Sequence, residues 1–286
     1  MINRNATWGE STLIAFDIET SGKYPLESEV CEIAAVKWRG GKIVDEFQTL
    51  VAVSRPMSAE VINIHHITNE MLVGAPKISE IIKKFRTFVD DGFVIAHHAP
   101  FDLGFMAHEF EKAGLALPVA PAFCSSILSR RAFPQAANHR LQTLIGFFKL
   151  PQGQAHRALD DARACLEVAL KVFEKVGPEK TIQEILDYQT TRLEWLQFST
   201  QQLRKSSVFS VLLKALETRE DVQIVYEGGS RPGQARTVKP IGLVRTPIER
   251  AAIINAEGGG DFLVAQEEGE PIPKRYFLKK ISAARL

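Results

Sequence analysis

The stretch Phe16-Asp17-Ile18-Glu19-Thr20 sets two acids at the end of an apolar run, Leu13-Ile14-Ala15-Phe16, where a buried strand has no use for charge. Side chains alternate along a strand, so Asp17 and Glu19 share one face while Ile14, Phe16 and Ile18 take the other. Two like charges side by side in a buried sheet are costly, or force one pKa up, unless cations lie between them. Oxygen ligands suit Mg2+ or Mn2+, so the pair reads as half of a metal-assisted phosphoryl site. The plainer alternative is an edge strand with one solvated face; against it, Leu13 and Ala15 share the acids' face.

Two further acids extend the pattern: Asp102, where a strand meets a helix, and Asp161, at the head of a helix running from Leu159 to Val176. His156 stands shortly before Asp161. Inside one regular helix the two would lie about 140° apart, so joint work puts His156 on the preceding loop, which Gln152-Gly153-Gln154 supplies. Taken alone, Asp102 reads as an N-cap after Pro100, and Asp160 reads as acidic decoration of a helix N-terminus.

The elements that must carry these residues follow from periodicity. Val30 to Trp38 and Glu46 to Val51 read as strands joined through Arg39-Gly40-Gly41-Lys42, which with the first strand makes a meander. Ile78, Ile81, Ile82, Phe85, Phe88 and Val89 mark a helix closed by Asp91-Gly92. A strand from Phe93 to Ala96 leads through His97-His98-Ala99-Pro100-Phe101-Asp102 into a helix from Leu103 to about Ala113. Leu141, Leu144, Ile145 and Phe148 fit another helical face. The order predicts an α/β mixed sheet flanked by helices.

The 286-residue length allows about two domains. No apolar run approaches the about 20 residues that span a bilayer, and Met1 to Ser11 hold no secretory apolar core. A cytoplasmic protein with no membrane partner is expected. Cys31, Cys124 and Cys165 read as reduced packing residues. A net charge of +1 leaves any nucleic-acid surface to a local patch.

Asp17-Ile18-Glu19-Thr20, then Ala99-Pro100-Phe101-Asp102, then His156-Arg157-Ala158-Leu159-Asp160-Asp161 occur in the order of a known family. Over roughly residues 11 to 177 the chain resembles the DEDDh 3′→5′ exonucleases, which include the proofreading epsilon subunits of replicative polymerases. The resemblance implies a ribonuclease H-like fold in which Asp17, Glu19, Asp102 and Asp161 hold two Mg2+ or Mn2+ at the 3′ end of a nucleic acid. It makes His156 the general base and nucleoside 5′-monophosphates the product. Ile64-His65-His66-Ile67-Thr68 is similar to the family's His-Gly-Ile-Thr segment beside the terminal nucleotide, and Thr20, His65, His98 and Phe101 are the expected nucleic-acid contacts. His98 stands where the family usually has Asn, and His66 where it often has Gly. The expected substrate is single-stranded DNA, with RNA left open. For His65, His66 and His98, ordinary packing or capping is an equal alternative, and His97 is assigned to packing.

After Gly177-Pro178 the chain reads as a helical connecting arm over 178–206, then as a second domain over 207–286. That domain holds a short helix from Val208 and strand candidates at 223–226, 235–240, 251–255, 262–266 and 276–281. A small all-β barrel is the economical reading. Ala235-Arg236-Thr237-Val238-Lys239-Pro240, Asp261-Phe262-Leu263 and Arg275-Tyr276-Phe277 resemble a WYL domain. That implies a nucleic acid or a nucleotide-like ligand, contacted through Arg236, Arg275 and Tyr276. A basic face on an oligomerisation module is the alternative. For the whole chain, a metal-dependent 3′→5′ exonuclease stands against a catalytically silent binding or sensing protein on the same fold. The intact acids and His156 favour the enzyme.

Overall fold

Strand β1 (Leu13–Thr20) sits at the centre of the first unit, and its alternation is that of a strand buried on both faces. In the computed structural model, which describes residues 2–151, 153–246 and 260–286, it pairs antiparallel with β2 (Val30–Arg39). Strand β3 (Lys42–Leu50) continues the hairpin. Gly40 and Gly41, at φ +59° and +85°, supply the left-handed turn that matches strand twist. On the other side β1 pairs parallel with β4 (Phe93–Ala96) and β4 with β5 (Phe123–Cys124), giving the order β3-β2-β1-β4-β5. β3 is exposed along most of its length and carries Lys42, Asp45 and Glu46 at the edge.

The helices of this unit are α1 (Ala59–His65), α2 (Ile78–Phe88), α3 (Pro100–Lys112), α4 (Ser125–Ala132), α5 (Leu141–Phe148), α6 (Ala158–Val176) and α7 (Ile182–Gln189). One sheet face is covered by α6: Leu13, Ala15, Val36 and Ile95 pack with Cys165, Leu166, Ala169, Val172 and Phe173. The opposite face is aromatic, with Phe16 at 5.8 Å from Phe85 and 6.3 Å from Trp195. Asp17 and Glu19 continue the Leu13-Ala15 row, on the face that α6 covers.

Three elements were not foreseen. α1, α4 and β5 are short, and α4 (SSILSRRA) has no apolar stripe long enough to register. Helix α3 begins at Pro100, earlier than periodicity suggested, because proline at the first helical positions forfeits no hydrogen bond. The predicted helical arm divides: α7 and the buried Leu193 and Trp195 pack with the first unit, which comprises Met1–Ser21 and Val30–Trp195. Buried Gln189 takes the Cys124 N–H at 2.7 Å and donates to the Ala122 carbonyl at 3.2 Å.

The second unit comprises Gly22–Glu29 and Leu196–Leu286. After α8 (Gln201–Arg204) and α9 (Ser207–Thr218) come β6 (Val222–Tyr226), β7 (Ala235–Val244), β8 (Phe262–Glu267), β9 (Lys274–Phe277) and β10 (Ile281–Arg285). All pairings are antiparallel, in the order β10-β6-β7-β8-β9. Among the described residues β9 and β10 do not pair, so the sheet is open and the barrel expectation is corrected. Leu212, Leu213 and Leu216 of α9 bury one face of the sheet. The run 276–281 is two strands separated by a 3-10 turn at Leu278–Lys280, and the strand expected at 251–255 lies outside the described residues. Gly242 is where Tyr24 packs on β7: a Cβ there would lie 2.2 Å from the tyrosine ring. Among the described residues, no helix is long and apolar enough to cross a membrane.

Candidate active site

Four pieces of chain converge at one end of β1. Asp17 and Glu19 come from the strand, Asp102 from the first turn of α3, His156 from the loop before α6 and Asp161 from the first turn of α6. The register explains the room they have: Asp17 lies opposite Ala34, whose methyl group leaves space for a carboxylate. Carboxylate oxygens of Glu19 and Asp161 and a ring nitrogen of His156 lie within 4.8 Å of one another. His156 is on the loop, as joint work requires. It takes φ +59°, and its N–H donates to Asp161 Oδ2 at 3.0 Å. The Gln154 N–H donates to Asp160 Oδ2 at 2.8 Å, so Asp160 tethers the same loop. Gly153 is required beside it, because a Cβ would sit 2.5 Å from the Asp160 carboxyl carbon.

Asp102 is 2% exposed, and Ala99 holds the N-cap position, so the aspartate does not cap α3. Its carboxylate instead accepts from its own N–H and from that of Ile18, which locks the helix start to β1. The charges do not tolerate one another. Burial, then Asp102, Glu19, Asp161 and Glu32, push the Asp17 carboxyl far up. Burial, then Asp161 and Glu32, raise Glu19 to about 8, with Arg157 acting against them. Burial raises Asp102 and Asp161 as well. An all-carboxylate set with one imidazole, each acid held above its ordinary range by burial first and by neighbouring acids second, is the donor chemistry of a hard divalent cation site.

Sequence reasoning missed Glu32. It is completely buried and lies opposite Glu19 on β2. Arg157 Nη2 reaches its Oε1 at 3.0 Å, the Ala158 N–H donates to Oε2 at 3.1 Å and Gln48 donates at 3.1 Å. Glu32 thus fastens the start of α6, and with it His156 and Asp161, to the sheet. The signal was available, since Val30-Cys31-Glu32-Ile33 carries the same anomaly as β1, an acid in an apolar strand. Gln142 was missed too; it donates to Asp161 Oδ1 at 3.4 Å.

Other expected contacts divide. His98 is exposed and Phe101 half-buried, while Thr20 is 7% exposed. His98 and His66 both take left-handed backbone, φ +64° and +60°. Asn or Gly adopts that region readily and histidine tolerates it, which explains the two departures from the family's pattern. His65 is 1% exposed: its Nδ1 accepts from the Ile67 N–H at 3.0 Å, and Nε2 lies 3.8 Å from Cys31 Sγ. It is a packing residue with no edge free for nucleic acid. All three cysteines are free and buried. In the second unit Arg236 and Tyr276 are 9% and 2% exposed. Arg236 shares strand parity with buried Val238 and donates to the Arg231 carbonyl, while the Tyr276 ring packs 5.1 Å from Tyr226. Both are core residues. Arg275 is exposed, 5.1 Å over the Phe262 ring.

A cleft of about 630 Å3 opens on the acids. It is lined by Asp17, His97, His98, His156 and Asp161 together with Ser126, Arg130, His139, Arg140, Leu141, Gln142 and Thr143. His97 packs as expected: its Nε2 donates to the His139 carbonyl at 3.0 Å and its Nδ1 lies 2.7 Å from Ser125 Oγ. Burial brings its pKa down to about 4, which keeps the ring neutral.

A mixed sheet in the order described, with clustered carboxylates at one end of its central strand, defines a ribonuclease H-like nuclease fold. The Exonuclease family (RNase_T) matches residues 14–169, more than half of the chain, and the chain belongs to that family. The DNA polymerase III PolC-type protein of Bacillus cereus is 38% identical over 167 residues, 58% of this chain and 12% of that relative. Its Bacillus subtilis counterpart is 38% identical over 176 residues, again 12% of its length. The chain thus spans about one eighth of these curated relatives. Among solved structures, exonuclease X in complex with 5′ overhanging duplex DNA is 27% identical, with TM-score 0.50, over 62% of this chain and 99% of that one. E. coli exonuclease I in complex with a dA16 oligonucleotide shares the fold at 15% identity, with TM-score 0.51, over 80% of this chain and 51% of that one.

Proposed function

We propose that this chain is a metal-dependent 3′→5′ exonuclease of the DEDDh type that removes nucleoside 5′-monophosphates from DNA, single strands above all. The observation that carries the reading is the convergence of Asp17, Glu19, Asp102 and Asp161 with His156 at one end of β1, where Asp17, Asp161 and His156 open on the cleft. The carboxylates would hold two Mg2+ or Mn2+. Such ions, when bound, neutralise charge at the phosphate and make water a better acid. His156, exposed at the cleft and fixed through its backbone to Asp161, takes the proton of the attacking water as general base. Asp102 and Glu32 keep α3 and α6 in register with β1, so that the acids stay within reach of one phosphate. We assign this chemistry to the first unit, epsilon-like in its motifs. The second unit is read as a WYL-like accessory module that meets nucleic acid or a nucleotide-like ligand through exposed groups such as Arg275 and Lys279.

The test is purified full chain with Mg2+ or Mn2+ against single-stranded DNA, duplex DNA and RNA, labelled at either end. Stepwise loss of mononucleotides from the 3′ end, abolished by chelator, supports the reading. Endonucleolytic fragments, or no metal-dependent cleavage, sink it.

A further inference from the structure

The cleft that holds the acids is also lined by two arginines. Arg130 lies in the last turn of α4 and Arg140 is the N-cap of α5, and both are exposed and line the cleft that holds Asp17, Asp161 and His156. Among the described residues no carboxylate pairs with either guanidinium, although the arginines at 86, 157, 163 and 204 each have an acid within 3.0 Å.

Their positions separate two reasons for being there. A cation in the last turn of a helix is favoured by the backbone dipole, which alone accounts for one arginine in α4. Arg131 fits that account and faces elsewhere: it donates to the Tyr188 carbonyl at 2.7 Å and its guanidinium lies 4.4 Å from the Tyr188 ring centroid. Arg140 does not fit it. It is the N-cap residue of α5, where the dipole disfavours a cation, and the first turn of α5 contains no acid to offset it.

The backbone that carries both arginines is held by a closed set of bonds. His97 Nε2 donates to the carbonyl of His139, His139 Nδ1 lies 3.0 Å from Ser129 Oγ, and Ser129 Oγ donates to the Ser126 carbonyl at 3.2 Å. Arg130 follows Ser129 and Arg140 follows His139. Two guanidiniums with no carboxylate partner among the described residues are therefore anchored, one on α4 and one at the start of α5, in the lining of the cleft. Arg matches phosphate geometry through its planar fork of donors.

We infer that Arg130 and Arg140 form a phosphate subsite that holds the retained strand on the 5′ side of the scissile bond. This rests on the reading of the acid cluster as an exonuclease site. A strand ending in a 3′-hydroxyl has no phosphate beyond the scissile one. A second anion in the same cleft then belongs to the nucleotide that stays on the strand. The strand enters past α4 and α5 and ends at the acids.

The test uses the full chain with Mn2+ and three substrates: a single-stranded oligonucleotide ending in a 3′-hydroxyl, the same oligonucleotide bearing a 3′-phosphate, and the p-nitrophenyl ester of thymidine 5′-monophosphate, which has no upstream phosphate. The R130A/R140A double variant is expected to raise KM for the oligonucleotide about tenfold and to flatten the log KM against log salt slope by about 1.4, at about 0.7 per lost contact on single strands. The ester should lose less than threefold in kcat/KM, and R130K/R140K should recover part of the oligonucleotide affinity. Equal losses on the 3′-hydroxyl oligonucleotide and the ester would show that the arginines serve the scissile phosphate, and an unchanged oligonucleotide KM and slope would show that they bind no strand. A defect confined to the oligonucleotide bearing a 3′-phosphate would put the anion beyond the terminus. Each of these overturns the subsite while leaving the exonuclease reading intact. A wild-type chain inactive on all three substrates overturns that reading first.

Discussion

Glu19 and Glu32 face each other across β1 and β2 as a directly opposed pair, yet they titrate in opposite directions. Burial alone would raise both. Glu32 is held below the ordinary carboxylate range by hydrogen bonds from Arg157, the Ala158 N–H and Gln48. Among the described residues Glu19 has no such hydrogen-bond donors, and burial, then Asp161 and Glu32, push it up to about 8. One carboxylate is thereby a fixed anion built into the fold, and the other is left short of positive charge. The difference marks which of the two belongs to the scaffold and which to the chemistry.

Glu32→Ala should therefore act on stability and catalysis together. Removing one partner of a buried ion pair typically costs about 3 to 5 kcal/mol, and here the orphaned Arg157 leads directly into α6. Glu32 is fully buried while the Arg157 side chain is 25% exposed, which places the expectation near the lower figure, about 3 kcal/mol. Denaturant melts measure the loss. Glu32→Gln retains the shape and should fall between the two, with reduced kcat because His156 and Asp161 are less firmly placed. Wild-type stability in Glu32→Ala would refute the tether.

The acid cluster makes metal binding a competition with protons. The folded metal-free protein holds the Glu19 proton up to about 8, whereas the unfolded chain releases it near the ordinary glutamate value of 4.5. Between those values the native state binds more protons, so metal-free stability falls as pH rises through the window. Mg2+ or Mn2+ should reverse this, with the gain in Tm on adding metal larger at pH 8 than at pH 6. Glu19→Gln should flatten the dependence. A metal-induced Tm shift independent of pH would argue that the acids do not ligate.

Burial, with Asp102, Glu19, Asp161 and Glu32 around it, pushes the Asp17 carboxyl far up, so Asp17→Ala should raise metal-free stability while nearly abolishing 3′→5′ degradation. Opposite signs for stability and activity are what a ligand held in electrostatic strain would show. Both are read on one preparation, by thermal melt and by an end-labelled assay. Cleavage persisting at the wild-type rate in excess chelator would end the two-metal reading.

His156→Ala should lower kcat by about 10² to 10⁴ while leaving KM within a few fold. Its backbone N–H still bonds Asp161 in the variant, so the loss isolates the imidazole. Loss of binding with kcat retained would make His156 a positioning residue.

How much of this was legible in the sequence depends on whether a residue's partners are local. The period-two row Leu13-Ala15-Asp17-Glu19 fixed which face the acids share, and α6 follows from the spacing of Leu159, Ala162, Leu166 and Ala169. Helix α4 was not legible, because Ser125, Ser126 and Ser129 hide its inner face. Ser125 engages His97, 28 residues earlier, and Ser129 engages His139, ten residues later, so both partners lie outside the helix. Glu32 was overlooked although it interrupts an apolar strand as plainly as Asp17 does; its partner lies 125 residues along the chain. Arg236 and Tyr276 were read by residue type, as a basic and aromatic nucleic-acid face. Parity with Val238 already placed Arg236 indoors.

That last pair gives the final expectation. Arg236 is 9% exposed, its guanidinium 5.8 Å from the Tyr226 ring, and its Nε has no hydrogen-bond partner among the described residues. Arg275 is exposed on β9. Arg236→Ala should lower stability by about 1 to 3 kcal/mol, through lost packing and an abandoned Arg231 carbonyl, with the salt dependence of binding to a long single strand unchanged. Arg275→Ala should leave the melt within about 0.5 kcal/mol and flatten that salt dependence by about 0.7, the share of one phosphate contact. Fluorescence anisotropy across a salt series, beside a denaturant melt, reads both variants. If Arg236→Ala flattens the slope while the melt stays put, the side chain reaches phosphate after all, and the assignment of strand contact to the outer face of β9 is wrong.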